Sequence, residues 1–272
     1  MLGAGAAFEG RAGRAVDLSL LWPCALLFLA SAGVTIAWCG SMDGGMPMPG
    51  GWTMSMAWMR MPGQSLPQAA ASFMAMWVVM MAAMMLPSLA SMLSSYRRGL
   101  RRYGASRLGA ATALAGAGYF CAWTAFGAAV YPLGTLLASA EMRSAALARL
   151  VPLATGAVLL LAGAAQLTAW KARRLWDCRD PLACCGPAAD GPRGAFRHGL
   201  RLGLHCCQCC AGLIAALLVA GVMDLRVMAL VTAAITIERL APWPLRVARA
   251  TGWLLAAAGA VEIARAAWSL AG

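Results

Sequence analysis

The chain has 272 residues, of which 61% are hydrophobic and only 12% are charged, and its mean hydropathy is +0.70. Soluble domains carry about 25% charged residues, so this composition excludes an ordinary soluble protein and indicates a lipid environment. The formal net charge of +12 is spread over segments that flank apolar blocks rather than along one stripe. It therefore favours membrane lipid as a partner and argues against nucleic acid.

The apolar residues form long blocks, each close to the roughly 20 residues that an α-helix needs to cross the hydrocarbon layer. Because strand-type alternation is absent, helices must satisfy the backbone polar groups in lipid. The sequence therefore predicts an all-α, polytopic membrane helix bundle with about seven transmembrane helices. The predicted spans are residues 18–40, 68–92, 108–136, 151–170, 205–223, 227–240 and 250–269. The fifth and sixth are the least distinct, because only residues 224–226 separate their apolar cores.

Basic residues are distributed asymmetrically over this predicted topology. Seventeen of the 22 Lys and Arg residues fall on one side, and the other side has Arg60, Arg143, Arg149, Arg226 and Arg265. Because basic residues are retained in the cytoplasm, we expect a cytoplasmic N-terminus and an outward C-terminus in a bacterial inner membrane. Residues 1–17 then form a cytoplasmic tail, and residues 18–272 form a single integral membrane domain.

The N-terminal segment has a second interpretation. Arg11 and Arg14, an apolar core and the Ala30-Ser31-Ala32 triplet also fit a cleavable signal peptide. The apolar run continues to Cys39, which favours an uncleaved span.

The outward loop, residues 40–67, is rich in Gly, Pro and Met, and we expect it to stay irregular unless a ligand orders it. Thioether sulfur is a soft, neutral donor that suits Cu(I) or Ag(I) better than Zn²⁺ or Mg²⁺. The candidate ligands in this loop are Met42, Met46, Met48, Met54 and Met56. The alternative is a flexible apolar loop that lies on the membrane surface.

The second predicted span continues the methionine pattern. Met76, Met80 and Met84 recur every four residues and so share one helical face, and Met81 and Met85 form a neighbouring row. Met76, Met80, Met84 and Met85 are therefore candidate soft-metal ligands across the bilayer. Helix packing or lipid contact explains such a stripe equally well.

Cysteines cluster in and beside the inward loop, residues 171–204. On the reducing side of the membrane, thiols are more often ligands or free thiols than disulfides. The spacing Cys206-x-x-Cys209 allows two sulfurs to reach one metal across a turn. The candidate ligands are Cys178, Cys206, Cys209, Cys210 and His205, with Cys184, Cys185 and His198 as further possibilities. Alternatively, the cysteines pack as small apolar residues at the start of a helix and the histidines bond locally.

Two carboxylates fall inside predicted spans, where ionisable groups are expensive. We expect structural pairing for both: Glu238 with Arg239 or another inward arginine, and Glu262 with Arg265 or Arg226.

Three sequence motifs carry a family resemblance. They are Met76-Trp77 with Met80-Met81 and Ala83-Met84-Met85-Leu86-Pro87-Ser88; Gln166-Leu167-Thr168 with Lys171, Cys178-Arg179 and Pro181; and Gly194-Ala195-Phe196-Arg197 with Gly199-Leu200-Arg201, Cys206, Cys209-Cys210, Gly221-Val222-Met223 and then Glu238. In this order they resemble a bacterial family of predicted metal-binding integral membrane proteins without an assigned activity. The resemblance covers roughly residues 40 to 265 and implies a metal-binding membrane protein.

The chain departs from the family pattern at four places. Arg174 stands where the family commonly has a further cysteine, Ser91 where it has a second proline, Asp224 where it has asparagine, and Cys207-Gln208 where it has a Leu-Gly-like pair. The loss of a possible ligand at Arg174 weakens metal binding by the middle motif, and Cys207 partly compensates.

Together these features predict a membrane protein that handles copper. The outward methionines collect Cu(I), the second helix offers transient thioether sites, and the inward cysteines receive or sense the ion, or the order is reversed. No nucleotide-binding loop or phosphorylatable aspartate motif supplies a driving force.

Three other functions remain open. One is an accessory or assembly subunit that delivers copper to a copper-dependent membrane enzyme or exchanges it with a copper chaperone. Another is a thiol oxidoreductase that uses Cys206 and Cys209. It is the only enzyme among these functions, and the sequence does not favour it. The third is a structural membrane subunit. A haem protein is disfavoured, because His198 and His205 are the only histidines and neither lies mid-membrane.

Overall fold

The structure, a computed structural model, describes residues 18–41, 45–61, 63–102, 107–179 and 191–271. The predicted N-terminal tail, Met42, Cys184 and Cys185 lie outside the described residues. In chain order the elements are α1 (Leu18–Ser41), β1 (Met46–Met48), β2 (Trp52–Met54), a 3₁₀ helix (Met56–Trp58), α2 (Leu66–Arg102), α3 (Leu108–Arg143), α4 (Ala145–Gln166), α5 (Ala169–Arg179), α6 (Gly191–Gly221), α7 (Leu225–Leu240) and α8 (Pro244–Ala271).

Six of the described helices, α1, α2, α3, α4, α6 and α8, are long and apolar enough to cross a membrane. This confirms an all-α fold with the helices of a membrane protein. The helix α7 has 16 residues and is therefore about 24 Å long, shorter than the hydrocarbon layer of about 30 Å. The count of seven spans and the orientation of the chain stay predictions.

The segment predicted to be an inward loop differs from that prediction, because residues 171–179 and 191–204 are helical. The helix α6 begins well before the predicted span, and its first turns are amphipathic: His198 and Leu202 are buried on one face, while Arg193, Arg197 and Arg201 are exposed. Hydropathy alone places the start of the helix after these arginines. The buried face shows that the helix continues through them.

The Met-rich segment is an ordered hairpin rather than the irregular loop that its composition predicts. Met46 pairs with Met54 and Met48 pairs with Trp52 across the antiparallel strands. Gly51 N donates to Met48 O at 3.3 Å, and Gly50 has φ +103°. That φ value favours glycine, so the Pro49-Gly50 pair closes a tight turn.

Two tryptophans attach the hairpin to the ends of the helices. Trp52 Nε1 donates to Ala148 O at 2.8 Å, in the first turn of α4. Trp58 packs on Phe73 of α2, with 5.4 Å between the ring centroids. These contacts explain the order of a segment whose strands are too short to be stable alone.

The helices α3 and α6 pack closely through small residues. A side chain at Gly199 of α6 would collide with the backbone carbonyl of Ala115 in α3, and one at Gly203 would lie 2.7 Å from Tyr119 O. Small residues of this kind let membrane helices approach to backbone contact. The close approach places Tyr119 of α3 beside the cysteines of α6.

Replacing Gly199 by alanine should separate α3 from α6. We expect Gly199→Ala to lower the free energy of unfolding by about 1–3 kcal/mol, as overpacking of a well-packed interior does. Gly116→Ala on α3 is the matched control, because no atom lies within 4 Å of its added Cβ. Denaturation of the two variants in mixed micelles measures the difference; equal stability would contradict this packing argument.

Candidate functional site

Four cysteines lie together at the junction of α5, α6 and α7. Cys206, Cys209 and Cys210 come from α6 and Cys178 comes from α5, and none of them is more than 3% exposed. The thiols of Cys178 and Cys209 interact directly. The structure therefore brings together all four cysteines that the sequence analysis selects as candidate ligands.

Arg239 of α7 places its guanidinium among these sulfurs. Its Nη2 lies 3.0 Å from Cys206 Sγ, 3.2 Å from Cys210 Sγ and 3.8 Å from Cys178 Sγ. Its Nη1 lies 3.4 Å from Ser88 Oγ and 3.5 Å from Met92 Sδ on α2. We call Arg239 and the four cysteines the cysteine cluster.

The guanidinium of Arg239 is buried, with 6% exposure. Among the described residues no carboxylate forms an ion pair with it. A buried charge needs a compensating charge or a full set of hydrogen bonds. The thiols are the neighbours that can supply negative charge, by losing a proton.

Tyr119 completes one side of the cluster. Its hydroxyl lies 2.9 Å from Cys206 Sγ, and either atom could be the donor. Both residues are fully buried. The close packing of α3 on α6 fixes this contact.

A second buried charge lies beside the cluster and is paired. Lys171 Nζ lies 2.8 Å from Glu238 Oε2 and donates to Cys209 O at 2.8 Å. Gln166 Nε2 donates to Glu238 Oε1 at 2.7 Å. The prediction that Glu238 pairs with an arginine is wrong. Its partner is Lys171 of α5, and the neighbouring Arg239 extends to the sulfurs instead. Glu262 pairs with Arg265 at 3.5 Å, as predicted.

Lys171 is held in its charged form. Burial on its own lowers the pKa of the ammonium, but Cys209 and the Glu238 carboxylate outweigh burial and raise that pKa above its ordinary value. The pair thereby joins α5, α6 and α7 around the cysteine cluster.

Arg179 fixes the backbone that carries Glu238 and Arg239. Its Nη1 donates to the carbonyl oxygens of Arg239, at 2.5 Å, and of Ala241, at 2.9 Å. Basic side chains commonly satisfy the free carbonyls at the end of a helix in this way. The end of α7 is therefore held firmly while the Arg239 side chain extends from it.

The two histidines have different environments. The Nδ1 of His205 lies 3.3 Å from Arg174 Nη1, and its backbone carbonyl accepts from Cys178 Sγ at 3.6 Å. His198 is 4% exposed and stacks on Tyr96, with ring centroids 4.6 Å apart. The structure thus places the His205 ring against Arg174, the residue that replaces a cysteine of the resembled family.

The methionines of α2 form a buried column, which comprises Met76, Met80, Met81, Met84 and Met85. We call this set the thioether column. Met80 and Met84 also line an apolar groove of about 730 Å³ between α1, α2 and α7. The same face continues through Ser88 to Met92, which contacts Arg239. The column and the cysteine cluster are therefore continuous along α2.

The methionines of the two strands share one face of the hairpin. Direct cross-strand partners and residues two apart on a strand lie on the same face, so Met46, Met48, Trp52 and Met54 belong to one face. Met54 is buried and Met46 is exposed, while Met56 is half-buried in the 3₁₀ helix. Near the C-terminal end of α1, Cys39 Sγ lies 3.9 Å from Met223 Sδ.

The donor set suits a soft ion, but the sulfurs are spread apart. Within the described part of the chain, no three His, Cys, Asp or Glu side chains are arranged to hold a metal ion. Metal–thiolate bonds are about 2.3 Å long, whereas three sulfurs surround Arg239 Nη2 at 3.0, 3.2 and 3.8 Å. Thiolate and thioether donors fit Cu(I), and the guanidinium occupies the point where they converge.

Comparison with known families points to copper. The profile of the family described as PpoB2: Copper chaperone matches residues 74–262. The chain belongs to the PpoB2 copper chaperone family. No curated protein and no solved structure matches the chain. The PpoB2 match includes the thioether column and the whole cysteine cluster, and it supports the predicted relation to metal, and specifically copper, handling.

The sequence analysis leaves out four residues of the site. The sequence analysis treats Arg239 only as a partner for Glu238, although a charged residue within an apolar helix is itself a functional signal. Lys171 and Gln166 stand in the same motif as Cys178. That shared motif is the sequence signal that they belong to the site. Nothing in the sequence marks Tyr119, because its position depends on the close packing of α3 and α6.

Breaking the buried ion pair should destabilise the protein more than removing it. Lys171 and Glu238 side chains are 3% and 2% exposed, so we expect Glu238→Gln alone to cost about 3–5 kcal/mol, because it leaves the ammonium buried without its partner. The double variant Lys171→Met/Glu238→Gln should be the more stable of the two. Unfolding free energies in mixed micelles measure both; a double variant as unstable as the single one would contradict this account.

Proposed function

We propose that this protein is a multi-pass copper chaperone of the bacterial inner membrane that holds Cu(I) at Cys178, Cys206, Cys209 and Cys210. The observation that carries the proposal is the convergence of three buried thiols on one point, within 3.8 Å of Arg239 Nη2, in a member of the PpoB2 copper chaperone family. Buried thiols in contact with a cation are suited to bind a soft ion as thiolates.

The methionines supply a route to this cluster. The hairpin face with Met46, Met48 and Met54 acquires Cu(I) outside, and Trp52 on the same face offers a ring for cation–π contact. The thioether column follows, with successive donors about 6 Å apart, since four residues of helix rise by that amount. Each transfer within the thioether column is a short exchange between neutral sulfur donors.

Affinity gives the route its direction. Neutral thioethers hold Cu(I) less tightly than anionic thiolates, so the ion moves from the hairpin to the cysteine cluster without an energy source. From the cluster, a copper-dependent membrane enzyme or another copper chaperone takes the ion by ligand exchange. Delivery of this kind agrees with a chain that lacks a nucleotide-binding loop.

Copper content distinguishes the two kinds of site. We expect detergent-purified protein loaded anaerobically with Cu(I) to lose one equivalent in Cys206→Ser/Cys210→Ser and to keep it in Cys121→Ser, the control, because Cys121 is a free and exposed cysteine on α3. Met46→Leu/Met54→Leu should lose the outward equivalent, whereas Met142→Leu should not, since Met142 is 50% exposed on α3. Mass spectrometry of bound copper measures each. A parent protein that retains no copper would overturn the proposed function.

The thioether column should control the rate of loading rather than the amount bound. In Met80→Leu/Met84→Leu the cysteine cluster is intact, so the equilibrium content of the cluster should be unchanged while its filling from the outer face slows by at least about tenfold. Stopped-flow measurements on oriented proteoliposomes with external Ag(I), monitored by thiolate absorbance, test this, with Met142→Leu as control. Equal rates in the two variants would remove the column from the route.

A further inference from the structure

The Arg239 guanidinium and a metal ion at the cysteine cluster require the same space. Nη2 stands at the point where the sulfurs of Cys206, Cys210 and Cys178 converge. An ion bound by these thiolates lies about 2.3 Å from each sulfur, whereas the nearest sulfur is 3.0 Å from Nη2. The sulfurs can close around an ion only after the guanidinium has left.

We propose that Arg239 is the resident cation of the cysteine cluster, that Cu(I) displaces it on binding, and that this exchange restricts the cluster to monovalent soft ions. The inference rests on the proposed function, because it concerns the same cluster. The chemical class of ligand is a monovalent thiophilic cation, Cu(I) or Ag(I).

Charge explains the restriction. Glu238 is already paired with Lys171 at 2.8 Å, and no carboxylate among the described residues pairs with Arg239. At a fixed number of thiolates, the exchange of one guanidinium for one Cu(I) leaves the net charge of the buried cluster unchanged. A divalent ion adds one further positive charge in a medium of low dielectric constant, where uncompensated charge is costly.

The structure allows the side chain to leave without moving the backbone. Arg179 holds the carbonyls at the end of α7, so the main chain at Arg239 stays in place. The Nη1 contact with Ser88 Oγ is long, at 3.4 Å, and the contact with Met92 Sδ, at 3.5 Å, is to a weak acceptor. Arg239 is one residue before the end of α7, and a long basic side chain there can extend to the membrane interface.

The displacement is testable on the parent protein. Phenylglyoxal modifies accessible guanidinium groups, and peptide mass spectrometry reports the modified fraction at each arginine. We expect modification of Arg239 to rise at least about fivefold when one equivalent of Cu(I) or Ag(I) occupies the cluster, because the side chain moves from the interior to the interface. Arg179, which keeps its carbonyl contacts, is the control and should not change. Unchanged modification of Arg239 in copper-loaded protein would overturn the displacement.

The selectivity is testable with variants of Arg239. We expect Arg239→Gln to bind Cd²⁺ at the cluster at least about tenfold more tightly than the parent protein, because Cd²⁺ no longer has to displace a buried cation from the sulfurs. Arg239→Lys retains the charge and should keep the weak Cd²⁺ binding of the parent. Isothermal titration with Cd²⁺ measures this, with Cys206→Ser/Cys210→Ser showing that the signal belongs to the cluster. Equal Cd²⁺ affinity in Arg239→Gln and the parent would refute the restriction.

The two proposals can fail separately. A parent protein that binds no Cu(I) through Cys206 and Cys210 overturns the proposed function and this inference together. A parent protein that binds Cu(I) at these cysteines while Arg239 keeps its low phenylglyoxal reactivity overturns the inference alone.

Discussion

A buried guanidinium surrounded by sulfur is the interaction on which the site depends. Arg239 contacts residues of α2, α5 and α6 from its own place on α7, so four helices must meet within the reach of one side chain. Arg179 and the Lys171–Glu238 pair join two of these helices, α5 and α7. The polar groups of the site thus support one another, and removing one leaves the others buried without partners.

Backbone contact between helices supplies the precision that the site needs. The hydrophobic effect does not drive helices together inside lipid, so close packing of small residues must do it. The approach of α3 to α6 at Gly199 and Gly203 has the further effect of fixing Tyr119 against Cys206. Fold stability and the geometry of the cysteine cluster therefore depend on the same interface.

Hydropathy and spacing predicted the membrane helices and the grouping of the four cysteines, because both properties depend on local sequence. The start of α6 was missed since its arginines mask a buried face that only tertiary contacts reveal. The hairpin was missed because Trp52 and Trp58 order it through contacts distant in sequence. The Lys171–Glu238 pair was missed for the same reason, because the two residues are far apart along the chain.

The attachment of the hairpin through Trp52 has a consequence for its chemistry. Strands of three residues do not stay paired by themselves, so the common face of Met46, Met48 and Met54 depends on the contacts of Trp52 with Ala148 and of Trp58 with Phe73. A synthetic peptide of residues 45–61 would contain the same thioethers without that register. The relative placement of the hairpin methionines is thus a property of the helical scaffold, encoded about a hundred residues farther along the chain.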